Sequence, residues 1–397
     1  SEMISSGISP VTRKLVLALL LLGTTLGLAG TDLVLPAVPG LPDVLDGDAV
    51  LAQLVLAAFV AGAGLGLLLF GWLGAVADQR LLLTVSLFAY AAVSALATMV
   101  PSLAALVAVR FVQGLAGAAA AVFAPGMIRS LYDAHGAVRA LGVMGSIESL
   151  VPALAPLAGV GLLHAFGWQG SFWTIAVLSV AAAVAAVVLG RRIPAVTAKR
   201  HSGSYAQLLL KPVYLRYALS HACTLGALLV FVFGAPAVIV GPLGGSLTDF
   251  IVLQVAGIAF FIVGANTASR LVARFGAERV IAGGSLLSAF GAVAIFVYAL
   301  VGGRQTLVIT ALFVPMNMGL GFRGPPGFYQ AVVASDGDDA RGSALVLLAV
   351  LTVAALGTAA VAPFITVGLA PLASAAAAIS VLALVLLSGL PKPVSSG

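Results

Sequence analysis

Four charged residues stand inside long apolar stretches of the sequence, where their side chains could carry protons or bind a ligand. They are Asp32, Arg110, Glu148 and Arg323, and their formal charges sum to zero. In a hydrocarbon environment each such charge costs about 3 kcal/mol on insertion scales, so it needs a partner or water. Carboxylates in this setting relay protons, and a guanidinium can hold a carboxylate or phosphate through two parallel hydrogen bonds.

Two interpretations of Asp32 and Arg110 are open from the residues alone. Both lie at a similar depth below the predicted outer ends of their segments. They could form a static salt bridge that holds two helices together, as buried ion pairs often do. Alternatively, Asp32 could be a proton carrier whose protonation depends on the charge of Arg110 and on access to water.

Glu148 and Arg323 also allow more than one role. Glu148 lies about 15 Å along its predicted helix, near the middle of a bilayer, where it could carry a proton, bind a cation or tie two helices together. Arg323 stands in segment 321–329, whose two prolines and three glycines predict a broken helix. Broken helices mark binding sites in transporters. Arg323 could therefore bind an anion in a cavity, pair with Glu148 or reach towards the cytoplasm.

Weaker candidates are the polar residues Gln113, Asn317 and Tyr329, which could line a pore. Together with Arg323, Asp32 and Glu148 they form the predicted substrate-binding set. One cysteine without clustered histidines indicates no metal site. No phosphate-binding Gly-x-x-x-x-Gly-Lys motif occurs, so ATP is not the expected energy source.

The composition decides which elements must position these residues. The chain has 397 residues, of which 61% are hydrophobic and 8% are charged. Soluble proteins carry about 25% charged residues, so a soluble enzyme, a nucleic-acid-binding protein and a disordered chain are excluded. A helix that spans a bilayer needs about 20 apolar residues, and continuous apolar runs exclude a β-barrel. Breaks at glycine, proline and polar clusters predict twelve spans, at 13–38, 49–73, 80–99, 103–131, 138–163, 170–190, 213–240, 248–270, 278–301, 305–333, 341–367 and 371–390.

The distribution of positive charge predicts the orientation of these spans. With the N-terminus inside, the cytoplasmic ends and loops collect all but three of the 19 Lys and Arg residues, the exceptions being Arg110, Arg304 and Arg323. This asymmetry is typical of membrane proteins with positively charged inner loops. It predicts that both termini are cytoplasmic.

The longest polar stretch divides the chain into two halves. We predict an N-terminal six-helix bundle at 1–190, a cytoplasmic linker at 191–212 and a C-terminal six-helix bundle at 213–397. Two six-helix pseudo-repeats are typical of secondary transporters.

Three motifs resemble those of the major facilitator superfamily. The fourth span contains Arg110-Phe-Val-Gln113-Gly114, an intramembrane arginine followed by Gln-Gly. The loop after the second span runs from Gly74 through Asp78 to Arg80 and is similar to the superfamily's gating loop, although the usual Gly-Arg-Arg after the aspartate is absent. The fifth span carries a Gly/Pro-rich motif similar to that of drug antiporters, which includes Pro152, Pro156 and Gly159.

Further residues narrow the resemblance to the bicyclomycin-resistance (Bcr/CflA) type of drug:proton antiporters. They are Asp32 with Pro36 at the end of the first span, Arg129 with Tyr132 after the fourth, and Trp168 before the sixth. The similarity is strongest over residues 30–175. It implies the major facilitator fold in the inner (plasma) membrane of a bacterium, with no cofactor.

The resemblance implies a proton-coupled exporter of small amphipathic compounds that works by alternating access, as a monomer driven by the proton gradient. Proton coupling is then expected at Asp32, Glu148 and Arg110. The alternative is a major facilitator transporter dedicated to a small anionic metabolite that binds through Arg323. An intramembrane enzyme or a channel is disfavoured, because no Ser/Lys dyad or clustered acidic and histidine site occurs.

Overall fold

The computed structural model describes residues 8–195 and 203–394, so part of the predicted linker, 196–202, lies outside the described residues. Within them, twelve helical spans are long and apolar enough to cross a membrane, which confirms the predicted all-helical architecture with twelve spans. The spans α1 to α12 are, in order, Pro10–Val44, Ala49–Val76, Gln79–Ala97, Leu103–Leu131, Ala134–Phe166, Gln169–Arg192, Pro212–Val240, Leu247–Phe275, Ala277–Leu300, Thr306–Ala334, Asp339–Phe364 and Leu369–Gly389.

The span α1 changes its helical form beside Asp32. Its α-helix runs Pro10–Asp32, and a 3₁₀ helix follows at Leu35–Gly40. Pro36 and Pro39 have no backbone N–H to donate, which weakens an α-helix at these positions and favours its end before them. Asp32 therefore lies at the carboxyl end of an α-helix, where free carbonyl groups and the helix dipole oppose a negative charge.

The span α10 is continuous, and the predicted break within it is wrong. One α-helix runs Thr306–Ala334 and includes Pro325 and Pro326. Each proline removes a backbone donor, so two carbonyl groups one turn earlier lose their usual partners. Neighbouring helices hold α10 in shape: a Cβ at Gly319 would overlap the backbone of α9, and one at Gly321 would overlap that of α8. Close packing of this kind lets membrane helices tolerate proline.

The span α8 continues beyond its predicted end at residue 270 to Phe275. Gly276 ends it with a φ of 84°, in the left-handed region where glycine is favoured. Arg274 consequently lies in the last helical turn, where the helix dipole favours a positive charge.

The described residues divide into two compact units. Unit 1 contains 8–133, 147–195 and 337–344, and unit 2 contains 134–146, 203–336 and 345–394. The predicted halves, 1–190 and 213–397, differ from these units at the segments 134–146 and 337–344. The predicted domain boundaries stay a prediction.

Glycines let two helices of unit 1 approach closely. Gly62 of α2 faces the carbonyl of Phe111, and Gly114 of α4 faces the carbonyl of Phe59. A Cβ on either glycine would overlap the opposing carbonyl. Small residues at such crossings permit close packing of membrane helices. This crossing fixes the position of Arg110, which lies one turn before Gly114 on α4.

In unit 2, both α8 and α9 pack along α10. Gly264 of α8 and Gly284 of α9 each leave no room for a side chain against the α10 backbone. The apolar core of the unit is formed by buried side chains of α7, α8, α9, α10 and α12, among them Phe231, Leu253, Ile295, Phe313, Met316 and Leu372. This core fixes the helix that carries Arg323.

Candidate functional site

Arg110 is completely buried in unit 1 and bonds to backbone carbonyls of two other helices. Its Nη1 lies 2.8 Å from the carbonyl oxygen of Gly30 in α1, and its Nε lies 3.0 Å from that of Val55 in α2. Nη1 is also 2.8 Å from Oε1 of Gln113, whose Nε2 donates to Ser94 Oγ of α3 at 2.8 Å. We call these five residues the Arg110 network. It ties α4 to α1, α2 and α3.

Aromatic rings complete the surroundings of the Arg110 guanidinium. Its central carbon lies 4.4 Å from the ring centre of Phe59 and 5.7 Å from that of Phe172. A cation over an aromatic face is attracted by the ring's electron density. Among the described residues, Nη2 has no hydrogen-bond partner. Carbonyl dipoles and ring faces therefore surround this charge in place of a carboxylate.

The structure shows no salt bridge between Asp32 and Arg110, which was the first of the two interpretations open from the sequence. Neither residue forms an ion pair within the described parts of the chain. Arg110 instead bonds the carbonyl of Gly30, two residues before Asp32, because the carboxyl end of α1 presents free carbonyl groups. The Asp32 carboxyl group is partly exposed and can gain or lose a proton without breaking an ion pair.

Two side chains and one close glycine contact, from three helices, hold the end of α1. The Tyr90 hydroxyl of α3 donates to the Leu26 carbonyl at 2.8 Å, and the Ser171 hydroxyl of α6 donates to the Leu33 carbonyl at 2.9 Å. Gly159 of α5 lies so close to Leu33 that a Cβ would overlap its carbonyl. The position of Asp32 is therefore set by α3, α5 and α6 as well as by Arg110.

The helix-5 motif lies within an unbroken α5 helix. Of its three predicted residues, Gly159 is buried against the end of α1, Pro156 is half-buried and Pro152 is exposed. Its observed contact with α1 is thus made through the glycine.

Glu148 is partly buried on the section of α5 that belongs to unit 1. Its side chain lies close to the Thr24 side chain of α1. The Thr24 hydroxyl also lies 3.1 Å from the carbonyl oxygen of Leu21. A hydroxyl both donates and accepts, so Thr24 can donate to an ionised Glu148. With Glu148 protonated, Thr24 can accept a hydrogen bond from its O–H while donating to the Leu21 carbonyl.

Within the predicted gating loop, Asp78 and Arg80 form an ion pair with each other. The Asp78 carboxylate accepts from the Arg80 backbone N–H at 2.9 Å and from the Arg80 guanidinium at 3.1 Å. The side-chain hydrogen bond from Arg80 is the main reason why the pKa of Asp78 lies below its usual value. This contribution to stability is present above the ordinary carboxyl pKa and is lost as the pH falls through the lowered one. Gly74 leaves no room for a side chain against Phe123.

In unit 2, Arg323 is completely buried and poorly satisfied. Its Nη1 lies 3.2 Å from the Ser220 hydroxyl oxygen of α7, which itself donates to the Tyr217 carbonyl. Its Nε and Nη2 have no hydrogen-bond partner among the described residues. Within the same residues it forms no ion pair.

The three weaker candidates lie in different surroundings. Gln113 is fully buried, and its amide is occupied by Arg110 and Ser94. Asn317 is buried where α10 meets α8, and it donates to the Phe313 carbonyl at 3.0 Å. Tyr329 is half-buried near the end of α10. A substrate contact by any of them stays a prediction.

One cluster in unit 2 was missed from the sequence. Arg216 Nη2 lies 2.7 Å from Oε2 of Glu278, and the Tyr217 hydroxyl donates to Oε1 of the same carboxylate. The cluster borders an open cleft of about 350 Å³ that Arg279 and Gln330 also line. No sequence motif pairs Arg216 with Glu278, and charges near helix ends are common, so the sequence does not predict this cluster. Within the described ranges no three acidic, histidine or cysteine side chains could hold a metal ion.

Comparison with curated proteins finds drug-related relatives. Multidrug transporter MdfA of Edwardsiella piscicida is 27% identical over 175 residues, which are 42% of this chain and 39% of that protein. A chloramphenicol resistance protein of Pseudomonas aeruginosa is 28% identical over 301 residues, or 75% of this chain and 68% of that protein. The alignment to the first relative thus spans about two fifths of that relative's length.

Solved transporters share the fold. A bacterial homologue of the iron transporter ferroportin, outward-facing, superposes with a TM-score of 0.74 at 14% identity over 94% of this chain and 98% of that one. The proton:xylose symporter XylE superposes with a TM-score of 0.73 at 15% identity over 96% and 97%. At such identities the likeness shows the fold alone. Residues 20–362 match the Major Facilitator Superfamily model, so the chain is a multi-pass membrane protein that belongs to this superfamily of secondary transporters, not enzymes.

Proposed function

We propose that the chain exports small amphipathic compounds in exchange for protons, by alternating access across the inner membrane of a bacterium. The observation that carries the proposal is the pair of intramembrane carboxyl groups in unit 1. Asp32 has no ion-pair partner among the described residues, and Glu148 lies close to a threonine hydroxyl, a group that can donate to an ionised carboxylate or accept from a protonated one. The names of two relatives, a multidrug transporter and a chloramphenicol resistance protein, support drug export.

Exchange requires that protons and substrate affect each other's binding. A coupling free energy between two ligands is reciprocal, so a substrate that binds best to the deprotonated protein must promote proton release. Asp32 and Glu148 can provide this coupling if a cationic or polar substrate group binds near the deprotonated carboxylates. Within the described residues neither carboxylate forms an ion pair, so a substrate would not have to displace a lysine or arginine of the protein.

In this proposal Arg110 acts through the position of α1. Its bond to the Gly30 carbonyl fixes the helix end that carries Asp32. The Arg110 network and two aromatic rings surround the charge of Arg110, which forms no ion pair with Asp32. Asp32 and Glu148 are the proposed proton carriers.

The alternative, a transporter dedicated to a small anionic metabolite, depends on Arg323. It predicts that anions are transported and that neutral or cationic drugs are not. The proposed exporter instead predicts drug transport whether or not an anion also binds.

The experiment uses the purified chain in proteoliposomes with chloramphenicol as the probe. A pH gradient, acidic inside, should drive accumulation of the labelled drug, and a protonophore should abolish it. Protein-free liposomes under the same gradient correct for passive partition. Accumulation that persists when the gradient is collapsed would refute proton coupling. Transport of organic anions without any transport of chloramphenicol would favour the alternative.

A further inference from the structure

The guanidinium of Arg323 has more donors than its surroundings use. Its side chain is 0% exposed, and a single neutral hydroxyl, that of Ser220, accepts from it at 3.2 Å. Two of its nitrogens, Nε and Nη2, have no partner in the described part of the chain. Buried charges in folded proteins are paired or fully hydrogen-bonded. Arg323 therefore meets the physical requirement for binding an external anion.

The two unpartnered nitrogens lie on one edge of the guanidinium plane. The N–H bonds of Nε and Nη2 point in parallel, and this edge matches the two oxygens of a carboxylate. Ser220 occupies Nη1, on the opposite side, and its own proton goes to the Tyr217 carbonyl. Ser220 thus orients the guanidinium, and the double-donor edge stays buried without a hydrogen-bond partner among the described residues.

Two glycines of α10 provide the space that Arg323 uses. A Cβ at Gly327 would overlap Nη2, so only glycine at this position allows the observed side-chain conformation. Gly324, although buried, has no heavy atom within 4 Å of the place where its Cβ would stand. The α10 backbone is therefore unobstructed at Gly324, the residue that follows Arg323.

His221 adds a polar and an aromatic group to the same region. It follows Ser220 on α7, it is buried, and its Nδ1 has no partner among the residues described. Its ring centre lies 5.3 Å from that of Phe328 on α10. His221 is therefore a second buried polar group without a partner among the described residues, beside the Ser220 that contacts Arg323, and its ring packs on an aromatic ring of the helix that carries Arg323.

We propose that Arg323, Ser220 and His221 form a carboxylate-binding site in unit 2 that takes the acidic group of a transported compound. One positive charge with one free double-donor edge matches one carboxylate, whereas a phosphate dianion would need more donors and more positive charge. The inference rests on the proposed function in one respect, that the bound compound is transported. It names a substrate class: amphipathic compounds with an aromatic or apolar body and a single carboxylate.

Binding is tested on the purified full chain in detergent, by calorimetric titration at fixed pH and salt. Benzoate is the probe, and benzamide is its neutral counterpart of nearly the same shape. Wild type should bind benzoate at least about tenfold more tightly than benzamide, as expected for a charge-assisted pair. Arg323→Lys should weaken benzoate binding about tenfold, since a lysine lacks the double-donor edge. Arg323→Ala should abolish the preference.

Two further variants separate the site from general effects of charge and folding. Gly327→Ala keeps the charge of Arg323 but displaces its guanidinium, so it should also lose the benzoate preference. Arg304→Ala removes one exposed positive charge from the same unit and should keep it. Equal benzoate binding by wild type and by monodisperse Arg323→Ala or Gly327→Ala protein would overturn the proposed site.

A transport measurement with labelled benzoate addresses the assignment to substrate. Wild-type proteoliposomes should transport benzoate, and those with Arg323→Lys should transport it about tenfold more slowly at low concentration. Benzoate binding without benzoate transport would overturn the substrate assignment. If benzoate binds wild type and the Arg323 variants equally while gradient-driven chloramphenicol transport persists, this inference fails and the proposed function stands. If wild type shows no gradient-driven chloramphenicol transport but binds benzoate through Arg323, the proposed function fails and the binding site stands.

Discussion

At the scale of single residues, Arg110 shows how a buried cation is accommodated without a carboxylate. Its donors reach carbonyl groups of α1 and α2 and the amide of Gln113, and two phenylalanine rings cover it. A guanidinium can make these divergent bonds, whereas an ammonium is a compact point charge. Arg110 therefore joins α4 to α1 and α2 directly, and to α3 through Gln113.

The first prediction is that Arg110 matters more for stability than for the pH dependence of transport. Arg110→Lys should lower the melting temperature in detergent, because each buried carbonyl left unsatisfied costs about 1–3 kcal/mol. The pH optimum of transport should stay close to that of wild type, since Asp32 is not its ion-pair partner. Arg191→Ala, at an exposed arginine, should change neither quantity. A marked shift of the pH optimum in Arg110→Lys would contradict this prediction and would support the interpretation that Arg110 and Asp32 form a salt bridge.

The second prediction concerns the hydroxyl group beside Glu148. Thr24→Val keeps the side-chain shape but removes the group that serves both protonation states of the carboxyl. The pH optimum of transport should therefore shift, with a loss of stability of about 1 kcal/mol. Thr84→Val is the matched control, because within the described residues the Thr84 hydroxyl bonds the Arg80 carbonyl of its own helix. An unchanged pH profile in Thr24→Val would show that the hydroxyl plays no part in proton transfer.

The sequence predicted the charged residues of the site but not the groups that they contact. Asp32, Arg110, Glu148 and Arg323 were recognisable because a charge inside an apolar stretch is rare. Their partners were not, since a backbone carbonyl such as that of Gly30 has no side-chain signature. Hydroxyl groups such as those of Thr24, Ser94 and Ser220 are common in membrane helices and do not stand out.

At the scale of helices, close crossings depend on single glycines. The third prediction compares neighbours on α9. A Cβ at Gly284 would stand 2.6 Å from the Gly319 carbonyl oxygen and 2.8 Å from the Arg323 Cβ, whereas Gly283 faces open space. Gly284→Ala should cost about 1–3 kcal/mol as an overpacked contact, and Gly283→Ala should cost nothing or stabilise the helix. Equal melting temperatures of the two variants in detergent would contradict this packing.

The same scale explains which helices could be predicted. Long apolar runs bounded by charged or glycine-rich turns predicted all twelve spans, because length and hydropathy alone define a membrane helix. The continuity of α10 could not be predicted, since Pro325 and Pro326 usually interrupt a helix. What preserves it is the packing of α8 and α9 against Gly319 and Gly321, which the local sequence does not contain.

At the scale of the whole molecule, the distribution of arginines predicts how the chain crosses the membrane. The fourth prediction uses a Cys223→Ser background with one introduced cysteine. A membrane-impermeant maleimide added to intact cells should label Arg304→Cys, which is predicted to be outside, and should leave Arg191→Cys unlabelled until the cells are opened. Both positions are exposed, so the reagent can reach them. Labelling in the opposite order would reverse the predicted orientation.

The central claim is that Asp32 and Glu148 couple the proton gradient to export. Its most direct test is the accumulation of chloramphenicol in proteoliposomes under an imposed pH gradient, for wild type and for the double variant Asp32→Asn with Glu148→Gln. Both replacements are nearly isosteric and remove the ability to release a proton, so the variant should fold and insert but accumulate no drug against its gradient. Full uphill accumulation by the double variant would contradict the account.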